Sequence, residues 1–301
     1  MQTQNNGLSK DLAEYGHPVS NLFVQPKTAK EWEPYMLTEQ QIADFERDGF
    51  VRGIKVMSDE QVDVLNEELV KLQSLSDEER KLFYHYESNE SEDPNRVLFH
   101  AIGGWRITPG FHDLFWSPAY RMAAYQLLGQ SFRLFHDQLF CKPAKHGGVV
   151  AWHQDYSYWT RTTPMQHLTS WVGLDDATTE NGCMYYVPNS HRWGLLEKPN
   201  LTGDMEGLLS VLTEEQKAAF KPIPIELKKG YGTFHHPLLV HGSYENRSDK
   251  PRRAFVLNVF ADGTVSGSDS TLMPGTPAIP KGEKVGGQFF PKLIERKLTD
   301  N

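Results

Sequence analysis

Apolar and polar positions repeat along this chain with two different periods, and the change falls near residue 132. Before it, apolar residues recur at helical spacing: Ile42 and Phe45, then Val62, Leu65, Leu69 and Leu72. Helix starts are marked by a capping residue with Gln or Glu three positions on: Thr38 with Gln41, Ser58 with Gln61, Ser76 with Glu79. After it, short runs rich in β-branched and aromatic residues cover 132–141, 149–152, 168–174, 183–187, 223–227, 232–241 and 254–260, with Gly, Pro and Asn between them. Many short strands separated by turns predict a mainly β sandwich or barrel, and the earlier helices predict a brace on one face. Residues 195–222 interrupt the strands with Gly203, Gly207 and a helix capped by Thr213 with Gln216, and mark a candidate lid. Residues 1–36 read as a polar extended arm, 37–262 as one domain, and 263–301 as an irregular tail rich in Gly, Pro and Ser.

Composition narrows the class. A chain of 301 residues can bury one large core. A net charge of −8 argues against a nucleic-acid backbone as partner. Cys141 and Cys183 are too few for a disulfide framework and fit a reducing compartment, each as a small buried hydrophobe. No apolar stretch approaches a membrane span, and the first ten residues lack the apolar core of a signal peptide. The expectation is a cytoplasmic protein that meets a small-molecule substrate, with no membrane and no obligate protein partner.

The chemistry-bearing residues are His153 and Asp155 in Trp152-His-Gln-Asp-Tyr156, and His241 in Pro237-Leu-Leu-Val-His-Gly-Ser243. Positions i and i+2 of a strand point to one side. Two imidazoles and one carboxylate can hold a divalent iron on one face and leave three positions open. The similar His85-Tyr86-Glu87 lies in an acidic polar stretch, 84–93, and reads as a solvated loop. Eleven residues past His241, Arg252 opens a β-rich run, and the turn-forming residues between predict that the two lie on adjacent antiparallel strands. An arginine there can clamp a carboxylate through two N–H groups. Alternation points Arg253 the other way, to the surface. A zinc-type metallohydrolase would use the same three ligands but leaves Arg252 idle. A non-catalytic jelly-roll metabolite sensor would have no need of the triad.

Three stretches in order carry a family resemblance: Trp152-His-Gln-Asp155, Glu180-Asn-Gly-Cys-Met-Tyr-Tyr-Val-Pro-Asn-Ser-His191, and Gly232-Thr-Phe-His-His-Pro-Leu-Leu-Val-His-Gly-Ser243 with Arg252. Over roughly residues 38–262 the chain resembles the phytanoyl-CoA dioxygenase family. The resemblance implies a double-stranded β-helix (jelly roll) and an iron(II)- and 2-oxoglutarate-dependent dioxygenase that consumes O2 and hydroxylates a small molecule. It implies metal ligation by His153, Asp155 and His241, and Arg252 on the far carboxylate of 2-oxoglutarate. Ser243 would add a hydroxyl there, Lys142 or Gln138 would reach the keto acid, and Trp171 would wall its pocket. His236 and the weaker His235 are rivals to His241 for the metal, but His236 and His191 read as structural. The cluster Tyr156, Tyr158, Trp159, Arg161 and His167 follows the metal strand and reads as substrate lining. No protein acid or base is required.

Overall fold

Strands whose side chains are buried on both faces read as unbroken apolar runs. The Arg252–Ala261 strand is one: Phe255, Leu257 and Val259 pack into the core shared with the helices, while Ala254 and Val256 pack into the space between two sheets. It lies at the centre of a seven-stranded antiparallel sheet. The order across that sheet is Phe50–Lys55, Tyr231–His235, His167–Gly173, Arg252–Ala261, Phe132–Lys142, Phe99–Ile102 and His85–Glu87. Opposite stands a four-stranded sheet of Val150–His153, His241–Ser243, Met184–Tyr186 and Ile223–Ile225. This is the jelly roll that the family resemblance implies, within the β sandwich that the strand pattern predicts, mainly antiparallel and without barrel closure. The computed structural model describes residues 10–198 and 203–294; the outer parts of the arm (1–9), insertion (199–202) and tail (295–301) fall outside them.

The predicted brace is the helix pair Glu39–Asp48 and Asp59–Gln73, each opened by a complete capping box. Val62, Leu65, Leu69 and Leu72 are fully buried against the outer face of the large sheet. Each such side chain contributes about 1.5–3 kcal/mol by leaving water. Ser76 does bond Glu79 as expected, yet only a 3-10 turn, Glu79–Leu82, follows.

Several expectations are corrected. Residues 10–36 are not a free extended arm: Ala13, Phe23 and Trp32 are buried, and Asp113 accepts from the backbone N–H groups of Val19 and Ser20. The expected strand 232–241 is two strands, Tyr231–His235 and His241–Ser243, because the chain turns at Pro237 and crosses to the other sheet. His241 and Arg252 therefore sit on facing sheets, not on adjacent strands. The described part of 195–222 covers Trp152, Val187 and Val240 on the small sheet, and its Lys198 ammonium stands 4.3 Å from the ring centre of Tyr158, which lines the central cavity. The tail is mostly irregular, as expected, but Leu272 and Met273 are buried and line the cavity, and Phe290, Leu293 and Ile294 are buried beyond it. His85-Tyr86-Glu87 is an edge strand with His85 facing the cavity, not a solvated loop.

Candidate active site

Between the sheets lies a cavity of about 390 Å³, lined mainly by aromatic and aliphatic side chains. Its polar floor is built by register. His153, the last residue of its strand, pairs directly with His241 across the small sheet. Their rings stand 4.1 Å apart, and the chain then turns through a 3-10 segment that starts at Asp155. The Nε2 atoms of His153 and His241 are each 3.5 Å from Asp155 Oδ1. Each ring gives its Nδ1–H to the carbonyl two residues back, Ala151 at 2.7 Å and Leu239 at 2.9 Å. That fixes the tautomer and leaves both Nε2 lone pairs aimed at a common point. Burial opposes the charge on Asp155, but His241, His153 and His235 outweigh it and hold its pKa well below the usual carboxylate range. Burial, then the neighbouring His153, pushes His241 well below the usual imidazole value. A carboxylate kept ionised beside the His241 imidazole kept neutral suits a divalent ion.

Asp155 is held from behind by residues on the large sheet. Its Oδ2 accepts from Thr169 Oγ1 at 2.6 Å and from His235 Nε2 at 3.0 Å. The Tyr186 hydroxyl meets His235 Nδ1 at 3.0 Å and Thr233 Oγ1 at 2.6 Å. His235, a weak rival to His241 for the metal by sequence, instead supports the ligand Asp155 from the large sheet. The available signal was parity, since Thr233 and His235 share one face of their strand.

Arg252 is almost fully buried in the cavity wall. Its Nε and Nη1 have no hydrogen-bond partner, and Nη2 has only a long 3.4 Å contact to Ser243 Oγ. Its guanidinium lies 5.5 Å from the centre of the Trp171 ring. Burial lowers the Arg252 pKa to about 10. Arg253 points the opposite way, as alternation predicts, and is tied to Asp175 through Nε at 2.8 Å and Nη2 at 2.7 Å. Ser243, Gln138 and Trp171 line the cavity with Arg252. Lys142, opposite Arg252 in the sheet, does not: it is fully buried, and its ammonium is spent on Ser243 Oγ at 2.7 Å, Ser243 O at 3.2 Å and the Tyr244 carbonyl. Gln138 Oε1 stands 3.0 Å from His100 Nε2.

Among the expected lining residues, Tyr158, Trp159 and Arg161 reach the cavity. Tyr156 and His167 pack behind them, bonded to Thr162. Arg161 gives its N–H groups to the carbonyls of Thr271 and Leu272, which anchors the tail beside the opening. Sequence reasoning missed the tail's contribution and that of His85, Glu90 and His100, all of which line the same cavity.

The comparisons with known proteins agree with this geometry. A family model described as phytanoyl-CoA dioxygenase (PhyH) matches residues 45–254. A phytanoyl-CoA dioxygenase domain-containing protein 1 homolog of Dictyostelium discoideum is 26% identical over 277 residues, covering 80% of this chain and 98% of that protein. The phytanoyl-CoA dioxygenase domain-containing protein 1 of Bos taurus is 33% identical over 143 residues, 46% of this chain and 48% of that one. Among solved structures, the non-heme alpha ketoglutarate dependent carbocyclase SnoK from nogalamycin biosynthesis superimposes with a TM-score of 0.70 at 21% identity, covering 90% of this chain and 100% of that chain. EctD from S. alaskensis, with 2-oxoglutarate and 5-hydroxyectoine, gives 0.66 at 18% identity, covering 98% of this chain and 97% of that chain. At these identities the solved structures share the fold.

Proposed function

This chain belongs to the phytanoyl-CoA dioxygenase family, and from that premise we propose that it is an iron(II)- and 2-oxoglutarate-dependent oxygenase hydroxylating an unactivated C–H bond of a small organic molecule. His153, Asp155 and His241 would hold the iron. With 2-oxoglutarate and dioxygen the iron supplies the oxidising power, the keto acid leaving as succinate and carbon dioxide and one oxygen atom going to the substrate.

The observation that carries the reading is the unpartnered guanidinium of Arg252 in the cavity that also holds the three ligands. A buried cation with empty N–H groups costs several kcal/mol unless an anion meets it. Lys142 stands beside it, its Nζ held by Ser243 Oγ and the Ser243 and Tyr244 carbonyls, and leaves the Arg252 charge unanswered. A dicarboxylate that reaches the metal with its keto-acid end and Arg252 with its far end satisfies both. Ser243 Oγ, fixed by the Lys142 ammonium, is placed to donate to the same carboxylate. The aromatic lining excludes water around the reacting end. Arg161, already committed to backbone carbonyls, is no free anchor for the phosphates of a CoA ester. A substrate small enough for the cavity is the better fit.

Anaerobic addition of iron(II) and 2-oxoglutarate should give the weak visible charge-transfer band of a chelated keto acid. Succinate should then form on admission of oxygen. Wild-type protein that shows no band yet hydrolyses esters with zinc would sink this reading in favour of a metallohydrolase.

A further inference from the structure

The hairpin at the edge of the large sheet carries a second set of metal-type ligands. His85 lies on the strand His85–Glu87, His100 on Phe99–Ile102, and Glu90 on the connection between them. Tyr86 stands opposite Ala101, and Glu87 opposite His100. Alternation then sends Tyr86, Phe99 and Ala101 into the helical core and turns His85 and His100 to the cavity. One nitrogen of each histidine and one oxygen of Glu90 lie within 4.8 Å of one another.

The orientation of each group is that of a ligand. His100 Nε2 meets Gln138 Oε1, which accepts its N–H and leaves Nδ1 turned to Glu90. Its ring is fixed by a stack on Phe140, with centroids 4.3 Å apart and planes 7° from parallel. The iron-type histidines show the same division, one nitrogen donating to a protein oxygen and the other left for the ion. His85 Nε2 is buried without a hydrogen-bond partner. It stands 3.7 Å from Glu90 Oε2, too far for a hydrogen bond. That separation is close to the ~3.4 Å between two donors that each sit ~2.1 Å from one tetrahedral ion.

We propose that His85, Glu90 and His100 form a second divalent-cation site, of the zinc type, in the wall of the cavity that holds the His153, Asp155 and His241 set. Two imidazoles and one carboxylate give three ligands to a borderline ion and leave the fourth tetrahedral position open. Because all three groups line the cavity, that position faces it, where water or an anionic oxygen of a bound molecule completes the shell. The ion takes the place of the proton shared by His100 and Glu90. The geometry of this set stands apart from the oxygenase reading, while the count of two ions below rests on the His153, Asp155 and His241 set also binding a divalent ion.

Metal counting tests it. Metal-free full-length protein is dialysed against zinc(II) and its bound metal measured, with a cobalt(II) titration followed in the visible as a second probe. Wild type should hold about two ions per chain and the double variant His85→Ala, His100→Ala about one. The double variant His153→Ala, His241→Ala should also hold about one, now in the hairpin. The anaerobic iron(II)/2-oxoglutarate band should survive in the His85, His100 variant, which shows its fold and its neighbouring site intact. Should that variant lose the band, Glu90→Gln decides, since it keeps the side-chain volume. It should hold about one zinc at concentrations that saturate the wild type. One ion per chain in wild type, or about two in Glu90→Gln, overturns the proposal.

Discussion

Replacing Arg252 with Met should separate what the side chain does for the fold from what it does for the cosubstrate. The guanidinium is buried with Nε and Nη1 unpartnered and Nη2 held only at 3.4 Å. In the absence of 2-oxoglutarate the charge is therefore a cost to the fold, and a methionine of similar volume should leave stability unchanged or raised. With 2-oxoglutarate the sign reverses. A charge-assisted contact to its far carboxylate is worth about 1.5–3 kcal/mol. Losing it should raise the 2-oxoglutarate KM about 10- to 150-fold, at tenfold per ~1.4 kcal/mol. The assay is a pair of thermal unfolding series, with and without 2-oxoglutarate, on anaerobic iron(II)-loaded protein. At a cosubstrate concentration ~100-fold above its Kd, wild type gains ~2.7 kcal/mol, and the variant should gain only about 0.3–1.4 kcal/mol at the same concentration. Arg252→Lys should recover part of the loss, since one ammonium cannot reproduce the fork. Arg253→Ala is the control: it breaks the pair with Asp175 at the strand edge and should cost about 1 kcal/mol of stability without moving the KM. If Arg252→Met unfolds more easily without cosubstrate and keeps the wild-type KM, the guanidinium has a structural partner and the clamp lies elsewhere.

Three further outcomes follow from the same geometry. His235→Ala removes one of the two donors to Asp155 Oδ2 and should weaken iron binding about 10- to 100-fold with little change in 2-oxoglutarate KM; an unchanged iron Kd would refute the positioning role. Burial, then the charge of His136, holds His167 at about 3, below the unfolded value of ~6.5, so its contribution is full above ~6.5 and is lost as pH falls toward 3. Urea unfolding between about pH 6 and 4.5 should lose ~1.4 kcal/mol per pH unit through this group, and His167→Gln should flatten the slope by that amount. Asp155→Gly should abolish turnover and weaken iron binding, and chlorinated product from wild type in chloride buffer would contradict hydroxylation as the outcome.

The helices that the sequence announces are those whose local and tertiary signals agree. Thr38, Ser58 and Thr213 each make a full capping box ahead of a helix. Ser76 instead gives both its backbone N–H and its hydroxyl to the Glu79 carboxylate, the residues after Glu79 offer no apolar repeat, and the segment stops after one 3-10 turn. The helix Pro118–Leu128 escapes pattern reading for the opposite reason. Ala119, Tyr120, Met122, Ala123 and Ala124 are all buried, so its first two turns show no polar face from which to count a period. The short strand Phe99–Ile102 and the edge strand His85–Glu87 beside it are only four and three residues long, below the length at which alternation stands out.

Within the site, residues were legible where one strand's own alternation decides their direction, and illegible where a neighbouring strand does. Arg252 and Arg253 diverge because successive side chains do, and the strand shows one facing the cavity and the other paired with Asp175. The same rule could not tell that the run after Tyr231 turns at Pro237 and delivers His235 and His241 to facing sheets. That crossing is what lets His241 pair with His153 while His235 supports Asp155 from the other side. His235, two residues before Pro237, carries no local mark of this role; the mark is Tyr186, on a strand about fifty residues away, whose hydroxyl completes the far side of the ring. His100 is similar. Its period predicts a cavity-facing side chain once the strand is known, but its value as a ligand depends on Gln138 taking the other nitrogen and on Glu90 arriving from the hairpin connection. Donor sets of this kind are assembled by register between strands distant in sequence, so a pattern search confined to short spacings finds the half of the iron-type site at His153 and Asp155 and passes over the cluster at His85, Glu90 and His100.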